Sequence, residues 1–146
     1  MSNPRRPLFM GATVVMAGVA LGTLLRTILE GAFPAEAGSW PWATFSINLA
    51  GSFLLGFLVQ SLTRLGKDEG RRKMVRLGLG VGVLGGFTTY STFVLEVVNS
   101  AEVGQMALAM AYAGTSLFAG IALAVVGMAV SDRLVPNGRR NKAASQ

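Results

Sequence analysis

The sequence predicts an all-α membrane protein of four transmembrane helices, with the third broken in mid-membrane. Three observations predict it. Of 146 residues, 51% are hydrophobic and 14% charged, with a mean hydropathy of +0.51, which is too apolar for a soluble domain of this size. Four windows carry no charge: Pro7 to Leu25, Ala37 to Thr63, Leu77 to Leu95 and Val103 to Ser131, of 19, 27, 19 and 29 residues. Each reaches the ~20 residues that cross ~30 Å of hydrocarbon as helix. The third observation is the run Gly85-Gly-Phe-Thr-Thr-Tyr-Ser-Thr-Phe93 inside the third window. Glycine costs about 1 kcal/mol relative to alanine in a helix interior, and Ser and Thr offer the backbone rival hydrogen bonds. A break within lipid persists only where protein or an aqueous cavity satisfies the freed amides and carbonyls. Such a break is a candidate ion site.

The spans are expected at about 8–29, 40–63, 76–97 and 103–131 within a single membrane domain, 1–146, that ends in a polar tail, 132–146. The first is read as a retained span and not a cleaved signal, because it ends in Leu24-Leu25-Arg26 without a small-x-small site. Its Gly18 and Gly22 form a Gly-x-x-x-Gly pair that suits close helix contact. The second carries an amide, Asn48, at its middle; the third carries the breaking run and closes on Glu96. The fourth places Tyr112, Thr115 and Ser116 at i, i+3 and i+4, so their hydroxyls share one helix face. Polar connections lie at Glu30 to Ser39, Arg64 to Arg76 and Asn99 to Glu102, and the tail from Asn137 to Gln146 is expected to be disordered. Four helices enclose little interior, so an oligomer is expected if the protein conducts anything.

Charge sets orientation and excludes chemistries. Lys and Arg gather in the N-terminus (Arg5, Arg6), the second connection (Arg64, Lys67, Arg71, Arg72, Lys73, Arg76) and the tail (Arg133, Arg139, Arg140, Lys142), leaving only Arg26 elsewhere. By the positive-inside rule both termini are cytoplasmic. That placement also accounts for the net charge of +6 and pI near 10.8 without any nucleic-acid partner. The chain has no Cys and no His. Disulfides, thiolate or imidazole metal ligands, Cys nucleophiles and His bases are thereby excluded. With no carboxylate pair placed for acid/base work, an enzyme is not expected.

Within the spans, Arg26 and Glu96 are membrane-embedded charges, read as vestibule groups or structural partners. Asn48 would be unfavourable against lipid and offers both donors and acceptors. An Asn in a span commonly bonds a neighbouring helix, and hydroxyls commonly bond back to their own helix. Joined with the break, however, these residues describe a polar track of donors without fixed charge. Such donors suit a small anion that must enter and leave, because they replace hydration without trapping it. Phe87, Tyr90 and Phe93 recur at i, i+3 and i+6, and aromatic ring edges are electropositive.

At these residues the chain resembles the CrcB/Fluc family of fluoride channels across all four spans. The resemblance rests on Gly18-Val-Ala-Leu-Gly22-Thr-Leu-Leu-Arg26, Trp40-Pro-Trp-Ala-Thr-Phe-Ser-Ile-Asn48-Leu-Ala-Gly51-Ser-Phe, the Gly85–Phe93 run followed by Glu96, and Ala111-Tyr112-Ala-Gly-Thr-Ser116. It implies an antiparallel dimer in a bacterial inner membrane, with two fluoride pathways at the subunit interface and passive export of cytoplasmic fluoride. The positions of Asn48, Thr89, Tyr90 and Phe93 would line the path, with Tyr112 and Ser116 adding a polar track. Backbone carbonyls of Gly85 and Thr88 from both subunits would hold a structural sodium ion. Residue chemistry alone leaves fluoride and chloride open.

Two departures from the family pattern carry their own expectations. Tyr90 stands where the family usually has phenylalanine, and conduction is expected to persist. The one-sided charge predicts a fixed orientation, so the partner is expected to be an oppositely oriented homologue in the cell, or a second copy of the chain in overexpressed material. The alternative function, a small proton-coupled multidrug exporter of four-helix type, requires a central carboxylate that Pro7 to Leu25 lacks.

Overall fold

The computed structural model describes residues 6–36 and 38–137. Helix α1 covers Arg6–Ala32 and α2 covers Trp42–Leu65. The third span is composite: α3 (Arg71–Val75), a π-helical stretch (Arg76–Leu84), the single turn α4 (Gly85–Phe87), then, after a break, α5 (Ser91–Glu102). Helix α6 covers Met106–Leu134. Four segments are long and apolar enough to cross a membrane: Phe9–Ala32, Trp42–Leu65, Arg71–Glu102 and Met106–Leu134. Helices are the only regular structure among the described residues.

The expected break is present, and three boundaries are corrected. Glu96 does not close the third span; α5 continues through Asn99 to Glu102, so that stretch is helix and only Val103 to Gln105 connects. Helix α6 runs three residues into the segment assigned to the tail. It does so because Asp132 and the Val135 carbonyl both accept from Arg64, at 2.7 and 2.8 Å, which ties the ends of α2 and α6 together. The Arg64 to Arg76 connection is also shorter, since α2 reaches Leu65 and α3 begins at Arg71. Arg5 and the tail positions Arg139, Arg140 and Lys142 lie outside the described residues.

The π-helical stretch was not anticipated. Gly78, Gly80 and Gly82 alternate through it, so ordinary α propensity is weak. The Gly85 amide donates to the Gly80 carbonyl, five residues back, which is the wide π turn. Glycines also let this stretch meet α1: a Cβ at Gly82 would lie 2.9 Å from the Gly18 Cα.

Helix α2 lies mainly against α6, α1 against the π stretch and α4, and α5 against α6. Polar seams help to hold these pairs; Ser131, fully buried, bonds Ser61 at 2.8 Å. Buried apolar side chains are few, with Ile47, Ala109 and Tyr112 inside, while large ones such as Phe118 and Leu24 face outward. That inverted pattern is expected where lipid tails are as apolar as the side chains. The chain is a multi-pass membrane protein.

Candidate functional site

Thr88 ends α4 by turning to an extended conformation, φ −77° and ψ 155°. In an unbroken helix the Thr89 amide would bond the Gly85 carbonyl, and the Thr92 amide would bond that of Thr88. Both amides go elsewhere. Asn48 reaches across from α2 and pairs with one peptide unit twice: the Thr89 amide donates to Oδ1 at 2.9 Å, and Nδ2 donates to the Thr89 carbonyl at 2.9 Å. The Thr92 amide donates to Thr89 Oγ1 at 3.2 Å, a side-chain cap for α5. Two carbonyls, those of Gly85 and Thr88, are thereby released from their helical donors.

A third carbonyl is satisfied from the other side. Gly86 O accepts from Thr23 Oγ1 at 3.4 Å and Arg26 Nε at 3.3 Å, while Arg26 Nη1 donates to Thr92 Oγ1 at 3.5 Å. Arg26 thus bridges the end of α4 and the start of α5, and its charge is partly offset by Glu30 at 3.7 Å. Close approach of α2 depends on Gly51, where a Cβ would overlap the Thr88 methyl.

The break opens onto a cleft of about 400 Å³ lined by Asn48, Ser52, Gly85, Thr88, Thr89, Tyr90, Phe93 and Ser116. Ser116 Oγ is buried and has no hydrogen-bond partner among the described residues, which is uncommon for a buried hydroxyl. The positive end of the α5 dipole faces the break. Tyr90 is 79% exposed, its ring 6.1 Å from that of Phe93.

Tyr112 lies beside this cleft and not along it. It is 1% exposed, its ring 5.2 Å from Phe93, and its hydroxyl donates to Glu96 Oε2 at 2.7 Å. Thr44 Oγ1 donates to the other oxygen of Glu96 at 2.6 Å. Glu96 therefore clamps α2, α5 and α6 together, and it borders a separate cavity of about 330 Å³ that Glu36 and Glu102 also line. Thr115 is exposed, so the three α6 hydroxyls do not act on one wall.

Of the residues expected from sequence, the structure gathers Asn48, Gly85, Thr88, Thr89, Tyr90, Phe93 and Ser116 at one cleft. Arg26, Glu96 and Tyr112 support the broken helix from outside it. Thr23, Thr44, Ser52 and Thr92 were missed. A usable signal existed on α2, where Thr44 and Ser52 lie four residues before and after Asn48 on one face.

Over residues 13–128 the chain matches the family described as CrcB-like protein, Camphor Resistance (CrcB). It is 44% identical over 125 residues to fluoride-specific ion channel FluC 1 of Cutibacterium acnes, covering 86% of each chain. It is 42% identical over 125 residues to fluoride-specific ion channel FluC of Novosphingobium aromaticivorans, covering 83% of this chain and 96% of the relative. The corresponding protein of Thermus thermophilus is 39% identical over 123 residues, covering 84% and 95%.

Proposed function

This chain belongs to the CrcB-like family, an ion-channel family and not an enzyme family, and from that premise we propose that it is a fluoride-selective channel through which cytoplasmic fluoride leaves down its electrochemical gradient. The observation that carries the reading is the broken helix itself. Asn48 holds the Thr89 peptide open beside a cleft lined by uncharged donors and the aromatic residues Tyr90 and Phe93. A strongly hydrated anion needs donors that replace water yet release it. Asn48 Nδ2 has a proton left after bonding the Thr89 carbonyl, and Ser116 Oγ is without a partner among the described residues.

The proposal includes an antiparallel dimer in the bacterial inner membrane, formed with a second copy or an oppositely oriented homologue. Tyr90, so exposed in the single chain, would then be covered, with two pathways at the interface. A structural sodium ion fits the residues present. The Gly85 and Thr88 carbonyls have lost their helical donors and border the same cleft, and unwound backbone carbonyls in membrane helices commonly coordinate sodium. These two residues from each subunit would hold the ion, which supplies fixed positive charge between the subunits. Arg26 and Thr23 meanwhile keep the Gly86 carbonyl engaged from the opposite side.

A proton-coupled exporter gains no support here: in α1 the carboxylate is Glu30, in the last turns and tied to Arg26. The test is anion efflux from proteoliposomes. Fluoride is expected to leave rapidly and chloride not at all; a protein that passes no fluoride overturns the assignment.

A further inference from the structure

A second built feature lies at the membrane boundary, away from the broken helix. The stretch from Arg64, at the end of α2, to Arg76, at the start of the π-helical stretch, carries six cations, and their ion pairs divide them into two groups. Arg64 is neutralised by Asp132 at 2.7 Å and Arg76 by Asp68 at 2.8 Å. Lys67, Arg71, Arg72 and Lys73 are exposed and have no ion pair among the described residues, against a single remaining carboxylate, Glu69. Two of the four, Arg71 and Lys73, line a cleft of about 750 Å³ together with the apolar Met10, Met74 and Val75 and with the carboxylates Asp68 and Glu69. Met10 is the second residue of the first membrane-length segment and Arg71 to Val75 open the third, so the cleft lies where the starts of these two segments meet.

We infer that this cleft binds an anionic phospholipid, its phosphate held by Arg71 and Lys73 and the start of its acyl chains laid along Met10, Met74 and Val75. Charge selects the occupant: Asp68 is taken by Arg76, so within the cleft Arg71 and Lys73 outnumber Glu69, Lys67 and Arg72 add unpaired positive charge in the same stretch, and basic clusters at a span end attract anionic headgroups. The chain's own undescribed ends are poor competitors, because their ionisable side chains, Arg5, Arg139, Arg140 and Lys142, are cationic as well. A free phosphate would use Arg71 and Lys73 and leave Met10, Met74 and Val75 bare. The loop is braced before any ligand arrives, since Arg72 Nη1 donates to the Lys67 carbonyl at 3.3 Å and Arg76 holds Asp68. Bracing of this kind lowers the ordering cost of binding.

The full-length chain is exchanged from mixed micelles of phosphatidylglycerol and phosphatidylethanolamine into lipid-free detergent, and retained lipid is counted by native mass spectrometry. Phosphatidylglycerol is expected to be kept in preference. Arg71→Gln and Lys73→Gln are each expected to lower its retention about fivefold, while Arg133→Gln, an exposed cation at the end of α6, leaves it unchanged. Size-exclusion profiles matching the wild type establish that the variants are folded. Equal retention of the two lipids, an equal loss in Arg133→Gln, or displacement by inorganic phosphate at constant ionic strength overturns the proposal.

Discussion

At the scale of single residues, Asn48 is the side chain on which the site depends, because its one amide serves both polar groups of the Thr89 peptide. Asn48→Ala removes two part-buried hydrogen bonds and leaves both polar groups of the Thr89 peptide without their partner, so it is expected to destabilise the protein by about 2–3 kcal/mol and abolish fluoride efflux. Asn48→Asp preserves the acceptor but sets a carboxylate against the Thr89 carbonyl, and is expected to be no better. Thermal unfolding in detergent, read beside liposome efflux, checks both. Tyr90 presents an exposed ring that lies beside Phe93. Efflux by the wild type and by Tyr90→Phe is expected to be comparable; a silent wild type beside an active variant contradicts the assigned role of the ring.

At the scale of elements, the half-helices stay in register because neighbouring helices satisfy what the break releases. Arg26 joins the Gly86 carbonyl to Thr92, and Glu96 joins Thr44 to Tyr112. Arg26→Gln shortens the reach and removes the guanidinium fork, so α4 and α5 are expected to lose their common brace. Hydrogen exchange should then quicken at Thr89 to Phe93 while α2 and α6 stay protected. The seam between α2 and α6 depends on absent side chains as well as on its polar contacts. A Cβ at Gly127 would overlap the Phe53 carbonyl, whereas one at Gly114 in the same helix meets nothing within 4 Å. Gly127→Ala is therefore expected to destabilise by about 1–3 kcal/mol. Gly114→Ala is expected to stabilise by about 1 kcal/mol through helix propensity. Melting temperatures of the two variants should move in opposite directions.

At the scale of the whole molecule, all Lys and Arg except Arg26 lie in the N-terminus, the second connection or the end of α6 and tail, and this bias predicts one orientation in the membrane. A C-terminal tag is expected to be accessible from the cytoplasmic side only, and equal labelling from both sides contradicts it. Withdrawing sodium throughout purification is expected to slow fluoride efflux, with recovery on its return, if the Gly85 and Thr88 carbonyls hold that ion. Sequence by itself determined the four spans, because hydrocarbon thickness converts length and charge directly into helix count. It also determined the third-span break, because Gly and hydroxyl residues weaken a helix locally. Only the tertiary structure decided which groups close that break. Asn48 is 41 residues from Thr89 and Arg26 is 60 from Gly86, and no local periodicity encodes such pairings. The same holds for Tyr112, whose spacing on α6 suggested a donor track but whose hydroxyl is committed to Glu96 on a neighbouring helix. Local propensity fixes where backbone groups are released, and packing across the bundle fixes what receives them.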